Sequence, residues 1–259
     1  MGYLHDGHTS LLQKARMDSE VVVVSIFVNP TQFLPHEDYN EYPRDFLRDY
    51  HICKNYGVDY IFYPDMKSVY PDDFLTEVRV KEISDRLEGI YRPGHFVGVT
   101  TIVTKLINIV KPHYIYLGQK DAQQSIILKK MCEDLNIDTE IKICPTIREK
   151  TGLALSSRNI YLTDEQKTEA TVLYEALNEG KKMILDYKVV DTDSVKKYVS
   201  NYIARKSKNI KLQYFAITDS YLMNEIENLK NYKGDVVLSL AAFIGKTRLI
   251  DNIFFNYTN

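Results

Sequence analysis

The chain has 259 residues, with 33 basic and 35 acidic side chains, a formal charge of −2 and 44% hydrophobic residues. That length supports a full core in one large domain or two smaller ones, and the balanced charge gives no basic surplus for nucleic acid. Three scattered cysteines without a CxxC pair argue against a disulfide scaffold and for a reduced, cytoplasmic setting; no apolar run is long enough for a bilayer, and no signal peptide precedes the first motif.

The chain opens on MGYLHDGH, in which His5 and His8 flank Gly7, and a helical pattern (Leu11, Leu12, Ala15) follows at once. VVVVSIFVNP is a β-branched run ended by Asn29-Pro30 and reads as a buried strand. DFLRDYHICKNYG reads as a helix stopped by Gly57, and VDYIFYP as the next strand. GVTTIVTKLINIVKP is helical, with Pro112 beyond its end. YIYLG is a strand, DAQQSIILKKMCEDLN a helix from Asp121 to Asn136, and TEIKICPTI a further strand. This alternation predicts an α/β, doubly wound parallel sheet with helices on both faces. After SSRN the texture changes. Two polar helical patterns precede three strands, LQYFAITD, VVLSLAAFIG and TRLIDNIFF. That order predicts a smaller C-terminal α+β domain, with the boundary near Ile147: domains 1–147 and 148–259.

Several stretches offer chemistry. A turn entering a helix presents unpaired N–H groups and a positive dipole, so HDGH suits phosphate, with Gly7 letting the backbone approach and two imidazoles as donors. It also reads as a solvated turn, or as half of a metal site, although no further ligand stands at diagnostic spacing and no metal site is expected. In GQKDAQQ, Gly118 ends a strand and Lys120 sits in the strand-to-helix turn, where a phosphate-binding lysine belongs. Asp121 suits a ribose or a plain helix cap. LALSSRN joins two hydroxyls to a guanidinium, which fits a loop over polyphosphate or a capping segment before the helix near Thr163. YRPGHFVGV places Arg92 and His95 around a turn that clamps an anion or simply turns. Gln32, in VNPTQF, lies just past a strand end.

The order of these stretches is more telling than any one of them. HxGH, VNPTQF, RPGHF, GxKDxQQ, LSSRN and RLIDN, running from Met1 to Asn252, resemble the pantoate–β-alanine ligase family. That family belongs to the nucleotidyltransferases with HIGH and KMSKS-like signatures on a Rossmann-like domain. The resemblance implies ATP-dependent activation of pantoate as an acyl adenylate and its condensation with β-alanine, releasing AMP and pyrophosphate. It implies an ATP site of Met1, Gly2, Tyr3, Leu4, His5, Asp6, Gly7, His8, Gly118, Gln119, Lys120, Asp121, Ile147, Leu155, Ser156, Ser157 and Arg158. Within that set His5 and His8 contact phosphates, with His8 a proton donor. Lys120 meets phosphate, Asp121 ribose and the Ile147 backbone adenine, while Leu155 to Arg158 close over the triphosphate. His5, His8, Lys120 and Arg158 form the catalytic set. Gln32 and Gln124 hold pantoate, Gln32 also lying near the β-alanine path. Mg²⁺ arrives with ATP, and a homodimer is implied, with no nucleic acid or membrane partner.

Two departures stand out. Gln119 replaces the family's usual Glu, and the chain begins at the HIGH-like motif itself, so a first strand is expected to be missing. Two other readings share parts of the pattern: a different nucleotidyltransferase with the same HxGH logic, and an inactive nucleotide-binding form.

Overall fold

The four β-branched runs of the first half become four short parallel strands, within a computed structural model that describes residues 2–258. The chain divides into two compact units. One comprises the residues up to Gln119 together with Gln123–Ile147; the other comprises Lys120–Ala122 and everything from Arg148 onward.

In the first unit, helix α1 (Asp6–Asp18) leads to strand β1 (Val23–Ser25), helix α2 (Phe46–Asn55) and strand β2 (Tyr60–Phe62). Two one-turn helices, α3 (Met66–Val69) and α4 (Glu88–Tyr91), then precede the long apolar α5 (His95–Val110). Strand β3 (Tyr114–Gly118), helix α6 (Ala122–Asp134) and strand β4 (Glu140–Cys144) follow. β1 pairs with β2 in register Val24↔Ile61, and β3 with β4 in register Tyr116↔Lys142, both parallel. Each pair brackets one crossover helix, as parallel neighbours require.

The mixed α/β class is as expected, but the parallel ladder is not continuous. Among the described residues β1–β2 and β3–β4 are separate two-stranded sheets. Periodicity identifies strands; it does not identify which edges meet. β1 is also shorter than its ten-residue run. Pairing reaches only from Val22, whose carbonyl accepts from Asp59 and Tyr60, to Ile26, which donates to Phe62. Beyond it the chain leaves the ladder for a 3-10 turn at Pro30–Gln32, where proline has no N–H to give. The core is correspondingly divided. Leu4, Leu12, Val24, Ile26 and Cys53 form one cluster, and Val99, Ile107, Leu128, Met131 and Cys132 another.

The second unit has longer elements. Helix α7 (Asp164–Leu185) starts on a capping box in which Thr163 and Gln166 each satisfy the other's backbone N–H. Helix α8 (Thr192–Lys206) is capped by Asp191. Strands β5 (Ile210–Asp219), β6 (Gly234–Ile244) and β7 (Thr247–Tyr257) form one antiparallel sheet with β6 in the centre. α7 buries Ala170, Leu173, Leu177 and Ile184 at helical spacing in the same cluster as Leu238 and Leu240 of β6. Gly180 lets the helix come close: a Cβ there would lie 3.1 Å from Val199 and 3.3 Å from Leu238. No described helix is long and apolar enough to cross a membrane.

Candidate active site

The opening turn forms the N-terminus of α1 through an unusual cap. His5 is the N-cap residue, and its Nδ1 accepts the Gly7 N–H at 3.1 Å. The His5 N–H in turn donates to Nδ1 of His8 at 3.3 Å. The two rings lie 4.0 Å apart between centroids. Two imidazoles thus build the reciprocal cap more often made by a hydroxyl and a carboxamide. Because a backbone N–H donates to each Nδ1, the proton of each neutral ring sits on Nε2. The turn therefore presents two imidazole N–H donors beside the positive end of a helix dipole, an arrangement suited to an oxyanion.

The backbone just before this cap is held from elsewhere in the unit. Asp49 on α2 is 1% exposed, and its two carboxylate oxygens accept the Tyr3 and Leu4 N–H groups, each at 2.7 Å. Arg48 stacks over the Tyr3 ring at 4.6 Å and reaches Asp49 at 3.4 Å. The contacts hold Tyr3 at φ 53°, a left-handed conformation that a side chain disfavours unless its surroundings impose it. Leu4 is fully buried, Gly2 is buried with its would-be Cβ 3.4 Å from Val28, and Asp6 is exposed in the first helical turn. Met1 lies outside the described residues. Sequence reasoning missed Asp49. The available signal was an acidic residue four positions before Cys53, on the face that α2 buries.

Gln32 ends the 3-10 turn after β1, and a dense polar network fixes it. Asn29, 3% exposed, donates to the Gln32 side-chain oxygen at 3.3 Å and to the Gly98 carbonyl at 3.1 Å, while its own oxygen accepts from Tyr70 at 2.9 Å. The Gln32 carbonyl accepts from His95 Nδ1 at 2.7 Å and from Arg92 at 3.2 Å. Arg92 also grips Glu37 through two hydrogen bonds of 2.6 and 2.8 Å and contacts His95 Nε2 at 3.1 Å. A carbonyl only accepts and a guanidinium only donates, so His95 is neutral with its proton on Nδ1. Burial, reinforced by the Arg92 charge, pulls this imidazole down to about 4. Burial pushes the Glu37 carboxyl up, but the Arg92 contacts outweigh it and leave the carboxyl below its ordinary value. The RPGHF turn is thus a clamp on the Gln32 backbone. Gly98 completes it, since a Cβ there would lie 2.4 Å from the Thr31 carbonyl oxygen. A cleft of about 770 Å³ opens beside the clamp, lined in part by Thr31, Tyr70, Phe74, Phe96 and Gly98.

Gly118 closes β3, and Gln119, Lys120 and Asp121 form a 3-10 turn ahead of α6. Lys120 is about four-fifths buried and lies 3.7 Å from the half-exposed Asp121. The adjacent glutamines separate cleanly. Gln123, 5% exposed, donates to the carbonyls of Ile83 and Arg86 and accepts the Glu88 N–H, so it pins the loop before α4. Gln124 is half-buried.

Ile147 is half-buried at the end of the first unit. In the second unit Leu155 and Ser156 are half-buried and Ser157 is buried. Ser156 caps a 3-10 helix (Ser157–Tyr161) by accepting the Arg158 N–H at 3.3 Å, and Asn159 donates to the Ala154 carbonyl at 3.0 Å. The SSRN stretch is therefore a capped element of its own, distinct from the Thr163 cap of α7. All three thiols are pushed up by burial, Cys53 to about 11, so none is an activated nucleophile. Among the described residues no three His, Cys, Asp or Glu side chains gather as a metal site.

The chain is similar to known proteins over nearly its whole length. A family model described as pantoate-beta-alanine ligase matches residues 1–254. A pantothenate synthetase of Caldicellulosiruptor bescii is 49% identical over 253 residues, spanning 98% of this chain and 88% of that protein. The crystal structure of the Thermus thermophilus pantothenate synthetase has a TM-score of 0.92 at 37% identity, over 98% of this chain and 90% of that one. The pantoate-beta-alanine ligase of Francisella tularensis, complexed with β-γ ATP and β-alanine, has a TM-score of 0.77 at 39% identity, over 98% of this chain and 86% of that one.

Proposed function

The chain belongs to the pantoate–β-alanine ligase family, and from that premise we propose how its residues divide the ATP-dependent joining of pantoate to β-alanine. The pantoate carboxylate attacks the α-phosphorus of ATP, the bond to the bridging oxygen breaks, and pyrophosphate leaves. The β-alanine amine then attacks the acyl carbon, loses a proton, and AMP departs with the former carboxylate oxygen. No side chain becomes covalently attached, so the protein's work is positioning and charge stabilisation.

The observation that carries this reading is the histidine-capped helix. Both Nδ1 atoms are engaged in the cap, which leaves the Nε2–H of each ring as its donor at a helix N-terminus, where a backbone with a glycine can come close to phosphate. His5 and His8 meet ATP phosphates, and His8 donates a proton toward the leaving pyrophosphate. Residues 1–8 and Gly118–Asp121 bind ATP, Lys120 on phosphate and Asp121 on ribose. The Ile147 backbone meets adenine, and Leu155, Ser156, Ser157 and Arg158 bind the triphosphate, Arg158 supplying charge. Gln32 and Gln124 hold pantoate, and the rigid Gln32 clamp is what fixes its hydroxyacid end. Mg²⁺ enters as the ATP complex, held by phosphate oxygens and water. The working form is a cytoplasmic homodimer.

The reading is tested by mixing the protein with ATP and pantoate alone. Pyrophosphate is expected to form before β-alanine is added, and AMP only afterwards. ADP and inorganic phosphate as the products would overturn it.

A further inference from the structure

The RLIDN stretch near the end of the chain has no role in the scheme above, yet it carries a chemical oddity. Asp251 and Asn252 are consecutive on β7 and are 5% and 3% exposed. Side chains alternate faces along a strand, so both faces of β7 bury a polar group at this point. Such groups are retained where they make hydrogen bonds, because burying them unmade is unfavourable.

Their bonds lead to two places. The Asn252 amide donates to the backbone carbonyl of Lys120 at 2.8 Å, across 132 positions of sequence. Asp251 receives both Arg148 guanidinium nitrogens, at 2.6 and 2.8 Å. The same guanidinium donates to the carbonyls of Asn252, at 3.2 Å, and Gly152, at 3.1 Å, and lies 3.7 Å over the Tyr174 ring. Gly152, at φ +96°, turns the short hairpin in which Arg148 bridges Ala154, and that hairpin leads directly into Leu155–Arg158. One pair of adjacent strand residues therefore anchors the Lys120 peptide and the root of the Ser156–Arg158 element, all within the second unit.

We propose that Asn252, backed by the Asp251–Arg148 pair, is a positioning residue for Lys120: it holds the lysine's peptide so that the ammonium group meets phosphate in the transition state. The inference rests on the reading of Lys120 as a phosphate ligand. Removing the Asn252 amide frees the Lys120 carbonyl and lets the turn shift, and a displacement of about 1 Å is enough to cost up to about 100-fold in rate.

The test is a double-mutant cycle on pyrophosphate release with ATP, over a range of pantoate concentrations up to saturation, using the full chain. Lys120→Ala is expected to slow release by about 100- to 1,000-fold. Asn252→Ala is expected to slow it about tenfold or more while leaving the KM for pantoate unchanged, and to have no further effect when Lys120 is already Ala. Asn252→Leu keeps a similar volume, loses the donor and adds no charge, and is read in the same way should the alanine variant not fold. A normal rate in Lys120→Ala would remove the underlying reading and the inference with it. A slow Lys120→Ala beside a normal Asn252 variant would remove the inference alone. So would equal losses in both backgrounds, since that is the signature of a general structural effect.

Discussion

The two units of this chain are stabilised in different ways. In the second, strands of ten and eleven residues form one antiparallel sheet, and α7 lays an apolar face on its centre. One large cluster of buried residues runs from Leu153 to Tyr257. In the first, the strands have three to five residues, the apolar clusters are small, and long loops lie between elements. What fixes those loops is a set of buried polar side chains aimed at backbone groups: Asp49 on Tyr3 and Leu4, Asn29 and His95 around Gln32, Gln123 on the loop before α4. Apolar burial is non-directional and produces stability, whereas hydrogen bonds set the shape of a loop to a fraction of an ångström. The unit with more irregular backbone uses the second device.

The largest expected effect lies in the apolar unit. Leu238 is fully buried at the centre of the β6 face. Leu238→Ala should destabilise the second unit by about 2–5 kcal/mol, the usual range for a leucine cavity. Hydrogen exchange of the β5–β7 amides would report it. A loss under about 1 kcal/mol would mean that the sheet is not the rigid element described here.

Next is the pH response of the polar unit. His95 has a folded value of about 4 against an ordinary 6.5, so the unfolded chain takes up the proton more readily. Its contribution is complete above pH 6.5 and is lost as pH falls toward 4, by about 3 kcal/mol over the window at about 1.36 kcal/mol per unit. The stabilisation from the Glu37 carboxyl is fully present above its ordinary value of 4.5 and is lost only as pH falls below it, so the fall between pH 6.5 and 4.5 belongs to His95 rather than to Glu37. Urea denaturation at pH 7 and pH 5 should show a fall in stability that His95→Asn abolishes. An unchanged fall in that variant would place the titrating group elsewhere.

The smallest of the three effects is steric. Gly98→Ala puts a methyl group 2.4 Å from the Thr31 carbonyl oxygen and should cost about 1–3 kcal/mol. Because the strain falls on the Gln32 turn, the KM for pantoate should rise as well. A variant with normal stability and normal KM would show that α5 does not set the position of Gln32.

The division between the units also explains what could be read from the sequence. Periodicity located every long helix and the strands of both halves, because apolar spacing is local information. The HDGH turn, the Lys120 turn and the SSRN stretch were visible as motifs for the same reason. Three features were not legible. Asp49 reaches Leu4 across 45 positions, Asn252 reaches Lys120 across 132, and the parallel strands pair two by two. Each depends on which distant segments meet, and a single sequence does not carry that information. The RPGHF turn was legible as a turn with an arginine and a histidine. That both point at the Gln32 carbonyl required the fold.

The central claim is attack by a carboxylate on the α-phosphorus, with the histidine-capped helix as its phosphate cradle. Pantoate labelled with ¹⁸O in both carboxylate oxygens tests it directly, by mass analysis of the products after β-alanine is added. The account predicts one label in AMP, one in the new amide carbonyl of pantothenate, and none in pyrophosphate. Label in inorganic phosphate, with unlabelled AMP or with ADP, would contradict it even if pantothenate were formed.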